Sequence, residues 1–271
     1  MGIMNFFIKN KLDKNIAVVP LVPDKLDDMK WERPFEVLRQ KWGEIPGGDI
    51  NRVKSNELSS LNDNELLERW NDAVSKATEG EYFRVRGWYH LLYKDIFKGK
   101  KVMDVGSGFG IDALSFAKSG IDITCVDIVE SNLDILKRLC KIMNLDNVKF
   151  LYLENLDSLK NLEYDYDVIW CQGSMINAPV SVMQIECAAL LEHLPVGGRW
   201  IELAYPKERW IREGSMPLHE WGDKTDGGAP WMEWYDEEKL LGRLAPAEFN
   251  VTLSFNFFNN DFNWFDLVRR K

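Results

Sequence analysis

From residue 101 to residue 204 short apolar runs alternate with longer stretches of helical periodicity. The apolar runs are 101–105, 121–126, 148–153, 167–171 and 199–204, each of a length and composition that reads as a buried strand. Between them, one helix opens at Ile111 and stops at Ser119-Gly120, where glycine suits a helix C-terminus. A second begins at the capping-box-like Ser131-Asn132-Leu133-Asp134 and carries Leu133, Leu136, Leu139 and Cys140 on one face. A third spans about 180–194 and ends at Pro195-Val196-Gly197-Gly198. Strand and helix in strict alternation predict a parallel sheet with helices on both faces. Beyond an aromatic-rich stretch the pattern predicts a short helix over 237–244. Two strands follow, 249–257 and 262–269, joined at Asn259-Asn260, residues suited to a hairpin turn.

The first hundred residues read differently. Helical periodicity covers 62–77, with Leu66, Leu67, Trp70 and Val74 on one face, and again 82–97, which runs directly into the first strand. These helices either cap one edge of the core or form a lid over a ligand cleft. Residues 1–55 are punctuated by Pro20, Pro23, Pro34 and Pro46-Gly47-Gly48, yet they hold Trp31, Phe35 and Trp42. That many large aromatics suits an ordered extension packed on the body rather than a free arm. The expected organisation is an N-terminal extension and helical cap over 1–98 and one α/β domain over 99–271, interrupted by an insertion at about 206–237.

Composition narrows the function classes. With 271 residues, 45% hydrophobic and 28% charged, the chain is that of a globular protein. A formal net charge of -9 argues against a nucleic-acid partner, which calls for clustered Lys and Arg. Cys125, Cys140, Cys171 and Cys187 form no close metal-ligand pair, and three histidines are too few for a His-rich site, so no metal is expected. Lys9, Lys11 and Lys14 interrupt the apolar runs of residues 1–20, leaving neither a secretory segment nor a membrane span. Phe6 stands where acylation at Gly2 would call for Ser or Thr. The expectation is a soluble cytoplasmic protein, with self-association into a homo-oligomer left open.

The candidate chemistry begins where the first strand ends. Lys101-Val-Met-Asp-Val-Gly-Ser-Gly-Phe-Gly-Ile-Asp112 runs from a strand through three glycines into a helix. Glycine lets backbone approach a ligand closely, and the helix N-terminus offers free N–H groups to a polar or negative one. The spacing is Gly-x-Gly-x-Gly, not the Gly-x-Gly-x-x-Gly of dinucleotide binders. Preceded by Asp104, it resembles motif I of the class I S-adenosylmethionine (SAM)-dependent methyltransferases, small-molecule branch. The resemblance covers 101–205 by motifs and the final hairpin by pattern. It implies a Rossmann-like, seven-stranded, mostly parallel sheet with an antiparallel terminal hairpin and SAM as cofactor.

That resemblance assigns expected roles. Asp104, Gly106, Ser107, Gly108 and Gly110 form the cofactor turn. Asp127, at the end of the second strand, would accept hydrogen bonds from the ribose hydroxyls, with Ile128 against the adenine. Glu154 and Asn155 take the adenine-reading positions, with Asp157 as competitor to Glu154, whose family counterpart is more often Asp. Gln172 and Gly173 would wall the methionine part, and the segment 174–177, including Asn177, would face the acceptor. Tyr89 and His90 lie where family members place residues that close over SAM, and Tyr82, Arg84 and Arg86 are candidates for its carboxylate. There is no Asn/Asp-Pro-Pro-Tyr/Phe and no strand-end Asp of the metal-dependent type, so a small acceptor methylated without a metal is expected.

The insertion carries Trp210, Trp221, Trp231, Trp234 and Tyr235 among Asp223, Asp226, Glu233 and Asp236. Aromatic faces beside carboxylates suit a sugar ring or a cation, or else they pack as a loop over the sheet edge. His219 is the insertion's candidate base. The leading expectation is O-methylation of a small molecule such as a sugar or glycan precursor. N-methylation of a small amine, or SAM binding without catalysis, is the alternative.

Overall fold

The computed structural model describes residues 32–46, 52–225 and 228–271. The expectations placed on residues 1–20, Trp31, Gly47-Gly48 and Asp226 lie outside the described residues. The main sheet grows from the apolar runs: β3 (Lys101–Val105), β4 (Asp122–Asp127), β5 (Val148–Tyr152), β6 (Val168–Gln172) and β7 (Arg199–Pro206), all parallel. β10 (Phe262–Arg269) enters antiparallel between β7 and β9 (Phe249–Phe257), giving the order β5-β4-β3-β6-β7-β10-β9, with the two-residue β8 (Trp234–Tyr235) paired to the end of β7. The central strands are buried on both faces. Edge strand β9 alternates half-buried with exposed positions, as expected where one side meets water.

Helices α5 (Ile111–Lys118) and α6 (Glu130–Met143) cover one face of this sheet together with α3 (Asp63–Thr78) and α4 (Gly87–Ile96), around Trp70, Tyr93, Phe97, Phe116 and Leu136. On the other face α7 (Val180–Leu191) packs with α10 (Glu237–Leu244), around Met183, Leu190, Leu240 and Leu244. The chain therefore runs outward from β3 to β5 and then returns to β6 on the other side of β3. That reversal of strand order opens a crevice beyond the carboxyl ends of β3 and β6, where ligands of open α/β sheets bind.

The structure departs from the sequence reading at the N-terminal side. Residues 82–97 are not one helix: a 3-10 turn, Glu81–Arg84, is followed by a break and then α4. Gly87 marks the break, because a Cβ there would come within 2.3 Å of the Phe83 ring and 2.9 Å of the Thr78 carbonyl oxygen. Tight packing of the turn on the end of α3 thus redirects the chain, and Arg86 is turned toward the crevice. Two further elements precede this, α1 (Glu32–Trp42) and a small hairpin of β1 (Glu44–Pro46) with β2 (Arg52–Lys54), followed by α2 (Ser55–Ser60). No described helix is long and apolar enough to cross a membrane.

Candidate functional site

The crevice is a cavity of about 270 Å³ bounded by the ends of β3, β4 and β6, and roofed by α1 and the turn before α4. The glycine turn forms its floor. Gly106 has φ +79°, and a Cβ on it would lie 2.4 Å from Cβ of Ser174, so glycine lets the ends of β3 and β6 approach. Gly106, Ser107 and Gly108 face the cavity, as does Asp104 at the end of β3. Gly110 does not: it begins α5 in the left-handed region, and a Cβ there would strike Leu136 of α6 at 2.6 Å. Its role is close helix packing.

Asp127 ends β4, 4% exposed. Its carboxylate accepts from the Gly108 N–H at 2.9 Å and the Val129 N–H at 2.8 Å, which fixes it between the glycine turn and the start of α6. The Asn132 side chain and the Ile128 N–H also act on this carboxylate, which borders the cavity. Burial raises its pKa, opposed by those same N–H groups. Asp104 is pushed well above the carboxylate range by burial and by Asp112 and Asp127.

Above the floor lies a charged cluster. Asp112, in the first turn of α5, sits 2.7 Å from His90 Nε2 and accepts from Trp170 Nε1 at 3.2 Å and, more weakly, from the Tyr89 hydroxyl at 3.4 Å. Burial works against its charge, but His90 and Arg86 hold its pKa below the usual range. Tyr89 lines the cavity, whereas His90 lies behind it as partner of Asp112. Arg86 lines the cavity too. Burial opposes its charge, and Tyr89, Asp112, Tyr205 and Asp104 together outweigh that opposition. Tyr82 joins the lining, but Arg84 is exposed and borders a separate surface groove with Trp88 and Phe257.

At the end of β6, Gln172 and Gly173 face the cavity, Gly173 at φ +72°. Both amide atoms of Gln172 and the hydroxyl of Ser174 are buried without a hydrogen-bond partner. Such orphaned groups call for a ligand or water. Asn177, also in the lining, is anchored by its Nδ2 donating to the Trp231 carbonyl at 3.0 Å.

Of the positions expected beside the adenine, the structure brings Ile128 to the cavity but not the Glu154 or Asn155 side chains. Ile128 and Leu153 reach the cavity, while the Glu154 side chain is exposed, Asp157 is exposed, and Asn155 heads the 3-10 turn Leu156–Asn161 away from it. The roof explains this. Arg39 of α1 donates from Nε to the Ile128 carbonyl and from Nη2 to the Leu153 carbonyl, both at 3.0 Å, and to the Glu154 carbonyl. Phe35 and Leu38 of the same helix, 2% and 4% exposed, then close the cavity over Ile128 and Leu153.

The insertion does not line the cavity. Trp221, Trp231 and Tyr235 are buried on the α7 face of the sheet; the Trp221 indole donates to Glu213 at 2.6 Å and the Trp231 indole to Glu233 at 3.2 Å. Trp234 is half-buried with Lys239 Nζ 3.5 Å from its ring centre. His219, on α9 (Leu218–Thr225), is likewise outside the cavity, and its Nδ1 has no partner to orient the ring. The physical reason is packing: after β7 the chain pairs β8 to the end of that strand and packs Trp221 and Tyr235 into the core shared with α7 and α10.

Two features escaped the sequence reading: the α1 roof, and Glu186 of α7, a buried acid in the cavity wall. A lone acid amid Val182, Met183, Cys187 and Leu190 on a core-facing stripe was the available signal for the second. Among the described residues no group of three or more His, Cys, Asp or Glu is placed to hold a metal ion.

Comparison with known proteins agrees with this geometry. Residues 102–198 match the family described as "Methyltransferase domain". A ubiquinone biosynthesis O-methyltransferase of Hydrogenovibrio crunogenus is 29% identical over 147 residues, 52% of this chain and 58% of that relative. The chain thus matches little more than half the length of that curated relative. In fold, it resembles magnesium protoporphyrin IX methyltransferase (ChlM) from Synechocystis PCC 6803, solved with bound S-adenosylhomocysteine. The TM-score is 0.51 at 16% identity, covering 80% of this chain and 92% of that one. The CcbJ methyltransferase of Streptomyces caelestis gives a TM-score of 0.54 at 14% identity, over 68% and 88%. Strands β3 to β6, the glycine turn beside β6 and the buried acid at the end of β4 all lie within the matched segment, and over that segment the chain resembles a class I SAM-dependent methyltransferase domain.

Proposed function

We propose that the protein transfers the methyl group of SAM to a hydroxyl of a small-molecule acceptor. The observation that carries this reading is Asp127: a buried carboxylate in the cavity lining, fixed by backbone N–H groups at the mouth of a glycine turn, where it could accept from a diol. The other residues present fit the cofactor. Ile128, Leu153, Phe35 and Leu38 would enclose a flat apolar ring, the backbone of 106–108 leaves room for an extended chain, and Arg86 and the unpartnered Gln172 amide suit an amino-acid end. Bound there, SAM would supply an already activated methyl group on a sulfonium.

The chain's own task is then to bind, orient and keep water out, which for such a reaction can supply much of the acceleration. The α1 roof and the aromatic wall of Tyr89, Tyr205 and Phe262 serve exclusion, and Asn177, held by the Trp231 carbonyl, is a fixed polar group beside the acceptor space. The O-methyltransferase relative favours a hydroxyl over an amine. Support for a sugar rested on the insertion's aromatics; Trp221, Trp231 and Tyr235 are buried, and none of the insertion's aromatics lines the cavity, whose apolar, aromatic lining favours a flatter, less polar acceptor.

Calorimetric titration of SAM and S-adenosylhomocysteine into wild type, Asp127→Asn and Asp127→Ala tests the reading. The expected result is micromolar binding to wild type, weakened about 100-fold in the Ala variant and less in Asn, which keeps one acceptor oxygen. An absence of binding to the wild type sinks it.

A further inference from the structure

Glu186 lies in the middle of α7, one turn after Met183, and both side chains reach the cavity wall. It is 3% exposed, yet among the described residues its carboxyl takes part in no hydrogen bond and no ion pair. The groups around it offer no free counter-charge. Arg243 of α10 is committed to Glu202 of β7, in an ion pair buried on both sides, and donates to the Met175 carbonyl at 2.9 Å. Cys171 of β6 and Cys187 of α7 are thiols that burial pushes up and keeps protonated. Burial pushes Glu186 up to about 8, with Arg243 opposing. A buried acid without a partner is costly to keep, and a carboxyl poised near neutrality is suited to proton transfer.

We propose that Glu186 is the group that takes the proton from the acceptor's hydroxyl, an inference that rests on the methyl-transfer reading above. The cavity that it borders names the acceptor class: a hydroxyl carried on a flat apolar ring, because Met175, Met183, Tyr89, Tyr205 and Phe262 also line that cavity. The step balances. The hydroxyl oxygen forms a bond to the methyl carbon, the bond from that carbon to the sulfonium sulfur breaks, and its electron pair stays on sulfur as a neutral thioether. The O–H proton passes to the Glu186 carboxylate and leaves to water once the ether has gone.

Phenol and anisole, the same ring with and without the transferable proton, serve as probes. Protein carrying carboxyl-¹³C glutamate, saturated with S-adenosylhomocysteine, is titrated by NMR from about pH 5 to about pH 10 with each probe at millimolar concentration. One signal, missing in the isosteric Glu186→Gln variant, is expected to titrate near pH 8. Phenol, by donating to the carboxylate, should lower that midpoint, and anisole should not. A midpoint in the ordinary carboxyl range, or one that phenol and anisole leave equally unmoved, overturns the proposal. Binding of S-adenosylhomocysteine is read from the same samples, so failure of the cofactor site is seen separately from failure of Glu186.

Discussion

The strand-end cavity and the insertion between β7 and α10 are built from the same kinds of residue, aromatics beside acids, and they do opposite things. In the insertion the polar atoms of the tryptophans have found partners within the chain: the Trp221 indole on Glu213, the Trp231 indole on Glu233, and Lys239 shared between Glu233 and the face of Trp234. Tyr235 keeps an unbonded hydroxyl, but its ring lies over the Arg243 guanidinium, 4.5 Å from its centre. In the cavity, Gln172 and Ser174 are buried without a hydrogen-bond partner among the described residues, and Glu186 makes no hydrogen bond or ion pair among them, with only Arg243 acting on it from a distance. The insertion's indoles are satisfied and the cavity's Gln172 and Ser174 are not; residue type alone does not separate the two regions.

The sharpest way to break this contrast is Trp221→Ala. Trp221 is fully buried, and its removal leaves a cavity and takes one donor from Glu213, which keeps Arg209 and Thr225. The expected loss of folding stability is about 4 kcal/mol by denaturant titration, with the affinity for S-adenosylhomocysteine unchanged in the folded fraction. If affinity fell tenfold or more while stability held, the insertion would be part of the site after all.

Next in size is the pH dependence set by Glu186. Its folded-state pKa, about 8, stands above the ordinary carboxyl value of the unfolded chain. As pH rises between those two values the unfolded state gives up its proton and the folded state does not, so stability falls through that window and levels off above pH 8. Glu186→Gln removes the effect. The variant should be more stable than wild type at pH 8 and gain little at pH 4, a difference on the order of 3 kcal/mol by denaturant titration. Equal differences at both pH values would mean that the carboxyl is hydrated or paired.

Most of the sheet was legible because period and punctuation agree along it, in apolar runs of strand length and glycine stops; the cap expected at Ser131 is absent, since α6 begins at Glu130 after Val129 with no side-chain cap. The glycine turn and Asp127 were legible for the same reason, since their function depends on backbone geometry that local sequence encodes. What was not legible depends on which side of an element meets its neighbours. Glu186 sits on a stripe indistinguishable from core until α7 is laid against the cavity. The insertion's tryptophans read equally as a binding face or as packing. The break at Gly87 arises from contact with Thr78 and Phe83, which a helical period over 82–97 does not reveal. Arg39 is an ordinary surface charge in sequence, and only the fold brings it to carbonyls at 128, 153 and 154.

That arginine provides the third test. Its hydrogen bonds tie α1 across the ends of β4 and β5, so a ligand that left past α1 would have to break them. Arg39→Ala should speed the release of S-adenosylhomocysteine about tenfold in stopped-flow displacement, with a smaller effect on association. An unchanged release rate would mean that the ligand leaves beneath the turn at residues 82–86 and that α1 is a fixed wall.

The smallest effect is expected at Trp234, and it tests the insertion where a binding face would have to be. Unlike Trp221 and Trp231, this ring is only half-buried, so it is a place where a sugar could stack. Its neighbours leave little room: Lys239 lies over it at 3.5 Å, Lys207 at 4.8 Å, and Trp210 stacks with it at 6.0 Å between centres. Because Lys239 keeps its ion pair with Glu233 when the ring is gone, Trp234→Ala should cost about 0.5 kcal/mol in stability. The KM for any acceptor that the wild type methylates should stay unchanged. A sugar acceptor whose KM rose tenfold in this variant would move the acceptor site onto the insertion, and the wall formed by Glu186, Met183 and Tyr205 would then belong to the cofactor alone.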